Sequence, residues 1–204
     1  MLHIRNMRLV GVAAFVALAA PAWAADAPRH IRGTLTEVQA TQAIVQTAGG
    51  KSETFKLNDK TGVFVVAPAD FSAITPNKFI GVTSVEKDGK RIAREVHVFA
   101  DSLRGLAEGH YPWDLESDAN MMTNANIGKV EQVGADHVLK LDYKGGEQTV
   151  SLPASATIVS FDKGTADQMK VGAKVFVIAT PVDDPAGTSA IIVVVGAGGL
   201  KPPM

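Results

Sequence analysis

The chain repeats itself. "GTLTEV" (Gly33–Val38) recurs as "GKVEQV" (Gly128–Val133), and "AIVQT" (Ala43–Thr47) as "VLKL" (Val138–Leu141). Double glycines follow at Gly49-Gly50 and Gly145-Gly146. "SETFKL" (Ser52–Leu57) then matches "EQTVSL" (Glu147–Leu152), and "TGVFVV" (Thr61–Val66) matches "TIVSF" (Thr157–Phe161). "NKFIGVTSV" (Asn77–Val85) answers "GAKVFVIA" (Gly172–Ala179), and "RIAREVHVF" (Arg91–Phe99) answers "SAIIVVV" (Ser189–Val195). A series in one order, at an offset of about 95 residues, marks two copies of one unit. Whatever the chain folds into must therefore be buildable twice.

Each copy reads as about five or six short strands, with a turn of helical character at "PADFSAI" (Pro68–Ile74) and "GTADQM" (Gly164–Met169). β-branched residues fill the runs, and Gly, Asp, Asn and Pro punctuate them. "TFKL" and "TVSL" alternate, which suits a strand with one wet face. "FVVA" and "VFVIA" are continuous, which suits strands covered on both faces. Small units of many antiparallel strands close up to hide their edges. The expectation is an all-β protein of two tandem, closed or partly closed OB-like barrels. A single sandwich pooling both halves is the rival arrangement.

The expected divisions are 1–24, 25–100, 101–126, 127–197 and 198–204. The first is a signal peptide: Arg5 and Arg8 precede an apolar run, Leu9–Ala20, and small residues follow at Ala22 and Ala24. The run is shorter than the ~20 residues needed to cross a bilayer. Cleavage near Ala24 predicts a periplasmic or secreted protein, and no later run is long enough to span. Cleavage also removes two basic residues, leaving 18 against 21 acidic, a net charge of −3. Nucleic-acid and anionic-lipid binders need clustered Lys and Arg, so neither partner is expected. The absence of cysteine excludes disulfides, thiolate metal sites and cysteine catalysis.

The strand pattern resembles that of a bacterial exported family of small OB-like β-barrel domains of unknown function. Its signature is G-x-V/L-x-x-V, a short strand, a glycine turn, T/S-V/F-x-L, an isolated Thr and a G-x-x-V-x-V strand. The likeness covers nearly all of Arg32–Val98 and Ile127–Val195. Asn77 stands where the pattern has glycine. The connecting "EGHYPWD…MTNA" is similar to a segment of double-domain members. The resemblance implies a fold and an exported location. Some relatives carry a metal-transport label.

Residues 101–126 are what the repeat does not explain. Disordered linkers lack aromatics, yet this segment holds Tyr111 and Trp113, so it is expected to be ordered. Asp101 could cap a short helical turn. Tyr111-Pro112-Trp113 is expected to wedge into the groove between the two barrels. The candidate binding residues are Glu108, His110, Tyr111, Trp113 and Asp114. The alternative is a soft-metal site of His110, Met121 and Met122, because thioether and imidazole suit Cu(I). Adjacent Met121 and Met122 would point to opposite sides if extended. A hard-metal set of Glu108, Asp114, Glu116 and Asp118 lacks calcium-loop spacing.

No G-x-S-x-G, H-E-x-x-H or phosphate loop is present. Asp101, Ser102, His110 and Asp114 could be drawn as a hydrolase triad, which ranks third. His97, in "REVHVF", reads as a surface residue opposite Val96 and Val98. His137 reads as a strand-opening residue, and His30 lies near the mature N-terminus. The leading expectation is a non-enzymatic exported binding or accessory protein without a cofactor. Its partner would be a protein, peptide or glycan, and copper is the alternative ligand.

Overall fold

The computed structural model describes residues 27–115, 119–182 and 187–204. The expected signal peptide, Glu116 and Asp118, and most of the turn at Asp183–Gly187 lie outside the described residues. The first half contributes β1 (Arg29–Val38), β2 (Gln42–Thr47), β3 (Ser52–Lys56), β4 (Gly62–Pro68), β5 (Phe79–Lys87) and β6 (Lys90–Phe99). Then comes β7 (Gly109–Trp113). The second half contributes β8 (Asn120–Val133), β9 (Asp136–Tyr143), β10 (Gly146–Leu152), β11 (Thr157–Lys163), β12 (Lys174–Pro181) and β13 (Thr188–Gly196). The fold is all-β, and the 13 strands among the described residues belong to one sheet. Among the described residues no helix is long and apolar enough to cross a membrane.

The halves are interleaved. β1 pairs with β2 and β2 with β3, but β1 also pairs with β12 of the other half, placing Ile31 opposite Val177. β12 pairs with β13, and β13 touches β3 at Ser189 and Lys56, so these five strands form a cycle. The matching cycle is β8, β9, β10, β6 and β5, closed by Val150 and Ser151 beside Arg91 and Ile92. Each cycle thus takes three strands from one half and a hairpin from the other. The expected tandem division at 101–126 is replaced by one shared sheet. The physical cause is where β4 and β11 lead. Each carries the chain out of its own three-stranded meander and delivers the next hairpin to the far side.

β4 and β11 pair antiparallel with each other. Val66 faces Phe161, Pro68 faces Val159 and Phe64 faces Lys163. Val66 and Phe161 are counterparts in the repeat, so the chain has an approximate two-fold axis at this pair. Three apolar clusters follow from this arrangement. One fills the first cycle, with Leu35, Val45, Phe55, Val177 and Val193. One fills the second, with Ile80, Val82, Val96, Leu139 and Leu141. The third lies at the seam and joins Phe64, Phe79, Phe99, Phe161 and Phe176. β5 is buried on both faces because Ile80 and Val82 face a cycle while Phe79, Gly81 and Thr83 face the seam side.

The helical turns at Phe71–Ala73 and Ala166–Gln168 are 3-10 turns. Each precedes a residue that plugs a cycle, Ile74 in the second and Met169 in the first. Asn77 has φ 67° and Gly172 has φ 89°, so the departure from the glycine pattern keeps the same left-handed backbone. The first-strand match shifts in the structure. Ile127 takes the place of Leu35, and the β8–β9 hairpin is the longer one. The expected tail, 198–204, is not loose, because Leu200 and Met204 pack into the seam cluster.

Interleaving predicts that neither half folds alone. A fragment ending at residue 100 lacks the hairpin that completes its first cycle. It should show no cooperative thermal transition by circular dichroism. Co-expressed with residues 101–204, it should co-purify as a folded 1:1 complex.

Candidate functional site

The seam holds an apolar cavity of about 100 Å3. One wall is His97, Phe99, Met122 and Asn124, and the other is Phe176, Ile178, Ile192 and Val194. Tyr111 and Trp113 of β7 and Met204 also line it. β7 is held by antiparallel pairing with β8, which sets Tyr111 opposite Met122 and Trp113 opposite Asn120. Alternation then places Tyr111, Trp113, Met122 and Asn124 on one face. His110 pairs with Thr123 and therefore shares the other face with Met121.

At the seam the Trp113 side chain packs against residues of both halves. The Trp113 ring lies 4.6 Å from the His30 ring and 5.9 Å from Phe176. Asp114 is latched to β1: its Oδ1 accepts from Arg32 Nη2 at 2.9 Å and lies 2.5 Å from His30 Nδ1. Burial alone would raise the Asp114 pKa, but the bonds from Arg32 and His30 outweigh it and hold the carboxyl at about 2. Arg32 stacks over Phe176 at 4.9 Å.

The two hairpins that meet at the cavity, β5–β6 and β12–β13, are counterparts in the fold and differ in chemistry. In β5–β6, Gly81 pairs with His97 and Thr83 with Glu95, just before a bulge. In β12–β13, Phe176 pairs with Val194 and Ile178 with Ile192, again just before a bulge. Thr83, Glu95 and His97 thus stand where the other half has Ile178, Ile192 and Val194. All three are almost fully buried, at 0%, 2% and 3% exposure. Burying them costs free energy that the apolar triplet does not incur. The fold therefore does not require polar groups here.

These groups are organised. Thr83 Oγ1 donates to Glu95 Oε1 at 2.7 Å and lies 3.8 Å from Met122 Sδ. His97 Nε2 sits 3.5 Å from Glu95 Oε1, and among the described residues it has no hydrogen-bond partner. A Cβ on Gly81 would meet Asn124 Oδ1 at 2.6 Å and His97 Nδ1 at 3.3 Å, so glycine lets both side chains lean over the strand. Burial lowers the His97 pKa to about 4, against a raising contribution from its hydrogen bond with the Pro203 backbone. The imidazole is neutral at pH 7. Trp113 Nε1 and Asn124 Oδ1 are also buried without partners, though Asn124 Nδ2 donates to the Leu106 carbonyl and to Tyr111 Oη.

The sequence candidates divide accordingly. Tyr111 and Trp113 line the cavity, and burial raises the Tyr111 pKa. Asp114 latches β7 from outside. Glu108 accepts from the Lys144 backbone N–H at 3.0 Å. His110 Nδ1 lies 2.9 Å from Thr123 Oγ1, and its pKa is lowered by burial and then by Arg91. His110 does not join Met122, so the set of His110, Met121 and Met122 is not brought together. Asp101 pairs with Lys78, and its 3-10 turn is preceded by Ala100, so Asp101 is not the cap. The hydrolase constellation is thus spread over different partners. Among the described residues no three or more His, Asp or Glu side chains gather to hold a metal.

His97 is the residue the sequence reading misplaced. Strand alternation sets it opposite Val96 and Val98 correctly, but the face it lies on is covered by the seam. His137 stacks on Phe71 at 3.7 Å near the start of β9, and His30 forms part of the latch. Comparison with family models, curated proteins and solved structures finds no match to this chain.

The buried imidazole makes stability depend on pH. Its folded pKa, about 4, lies below the ordinary 6.5, so the unfolded chain binds the extra proton first. The contribution is complete above pH 6.5 and is lost as pH falls toward 4; the full shift is worth ~3 kcal/mol. His97→Val should flatten the loss of melting temperature between pH 7 and pH 4.5 relative to wild type. Parallel curves for the two proteins would contradict this placement of His97.

Proposed function

We propose that this protein is a non-enzymatic exported binding or accessory module whose ligand site is the seam cavity. The observation carrying the reading is the asymmetry of the two hairpins that meet at the cavity. One half presents buried His97, Glu95 and Thr83 where the other presents only aliphatic side chains. An apolar cavity with a few unpartnered polar groups matches the general make-up of a ligand site. Its volume, about 100 Å3, suits a single compact group, such as an apolar side chain or end group of a protein, peptide or glycan partner.

Export rests on the leader pattern of Arg5, Arg8, Leu9–Ala20 and Ala24. The OB-like reading rests on the two five-stranded cycles, taken as small, partly closed barrels that share their hairpins. A non-catalytic role is favoured because His110, Asp101 and Asp114 each serve separate local contacts. β7 adds a strand to one half alone, so the segment that the repeat does not explain forms one side of the proposed site.

Small amphipathic fragments test the reading. Phenol and isobutanol, titrated at millimolar concentration and followed by 1H–15N NMR, should shift resonances of Tyr111, Trp113, Asn124 and Phe176 most. Ile192→Trp, which fills the cavity, should abolish those shifts while leaving the fold intact. Shifts that survive in this variant, or none in the wild type, would contradict a seam site.

A further inference from the structure

The seam site also contains soft donor atoms. Met122 and Met204 are both 3% exposed, and both line the same small cavity as His97. Thioether sulfur and imidazole nitrogen bind soft cations in preference to hard ones. Among the described residues the hard and borderline alternative, a group of three or more His, Asp or Glu, does not form.

The imidazole is arranged as a ligand would be. One ring nitrogen, Nε2, is buried without a hydrogen-bond partner among the described residues. The backbone of Pro203 also approaches the ring closely enough to hydrogen-bond it. A neutral imidazole carries a lone pair on one ring nitrogen, and a metal-bound histidine offers that lone pair while its other nitrogen keeps the proton. The Glu95 carboxyl, 3.5 Å from Nε2, sits beside the position a cation would take. Met122 reaches the same cluster through Thr83 Oγ1, 3.8 Å from its sulfur. Trp113 forms the adjoining wall and is a built-in optical reporter.

The geometry points to a Cu(I) site in the seam cavity, with His97 Nε2 and the sulfurs of Met122 and Met204 as ligands and Glu95 beside the bound ion. This site rests on the seam-cavity reading and names its ligand as a monovalent soft cation. It moves the soft-metal alternative off His110 and Met121, which occupy the other strand face. It keeps Met122, the methionine that alternation turns toward the seam.

The experiment is a Cu(I) titration of the full folded protein under anaerobic, reducing conditions, in competition with bathocuproine disulfonate. One equivalent of Cu(I) should be withdrawn from the chelator, with quenching of Trp113 fluorescence. Copper-edge X-ray absorption should show sulfur as well as nitrogen scatterers. His97→Val places in this half the residue its counterpart carries, and Met122→Leu conserves volume, so both should remain folded. Each should weaken Cu(I) binding at least tenfold, whereas His110→Ala and Met121→Ala should leave it unchanged.

Met204→Leu, on a different element, gives a third variant should either of the first two fail to fold. No Cu(I) uptake by the wild type would overturn the inference, as would undiminished uptake by folded variants of the three ligands. If fragments still enter the cavity when Cu(I) does not, the copper site fails and the seam-cavity reading stands. If neither enters, both fail.

Discussion

The antiparallel pairing of β4 with β11 is the constraint from which the rest of the molecule follows. Val66 and Phe161, counterparts in the repeat, face each other across it. A strand that pairs with its own counterpart must do so about a two-fold axis. Each half is then committed to sending its last hairpin across the axis. Two cycles result, each with an apolar core of its own, and a third core lies where they meet. The cavity belongs to that third core.

A two-fold arrangement would make both sides of the seam alike, yet they differ. Thr83, Glu95 and His97 oppose Ile178, Ile192 and Val194 at matching positions on matching hairpins. Because the aliphatic version packs, the polar version is not a structural need. β7 breaks the symmetry further, adding Tyr111 and Trp113 over the polar side, with Asp114 fastened to Arg32 and His30. The Asp114 latch connects the central segment to a strand of the first cycle, and Trp113 closes the cavity beneath it.

Much of this was legible in the chain. Strand periodicity and turn residues gave the all-β class, and "VFVIA" was correctly read as covered on both faces. The aromatic content of the central segment pointed to packing, and among its described residues Tyr111 and Trp113 line the seam cavity. Alternation showed that Met121 and Met122 cannot face one site. The sharing of hairpins was not legible, since a repeat specifies what each copy contains and not which copy its strands pair with. His97 was missed for the same reason. "REVHVF" alternates whether its second face meets water or another core. One signal was present all the same: aligning the copies sets Glu95 and His97 against Ile192 and Val194, aliphatic positions in a strand whose last four residues are buried.

The central claim, that the halves exchange hairpins within one chain, is tested most directly by cross-linking β1 to β12. Thr34 pairs with Lys174, and Lys174 Nζ donates to Thr34 Oγ1 at 2.7 Å. The chain has no cysteines, so Thr34→Cys with Lys174→Cys supplies a single pair. Oxidation should give a monomer with one intramolecular disulfide by mass spectrometry. The pair Thr34→Cys with Phe79→Cys, which a self-contained first half would bring together, should remain reduced. A disulfide in the second pair and none in the first would contradict the interleaved fold.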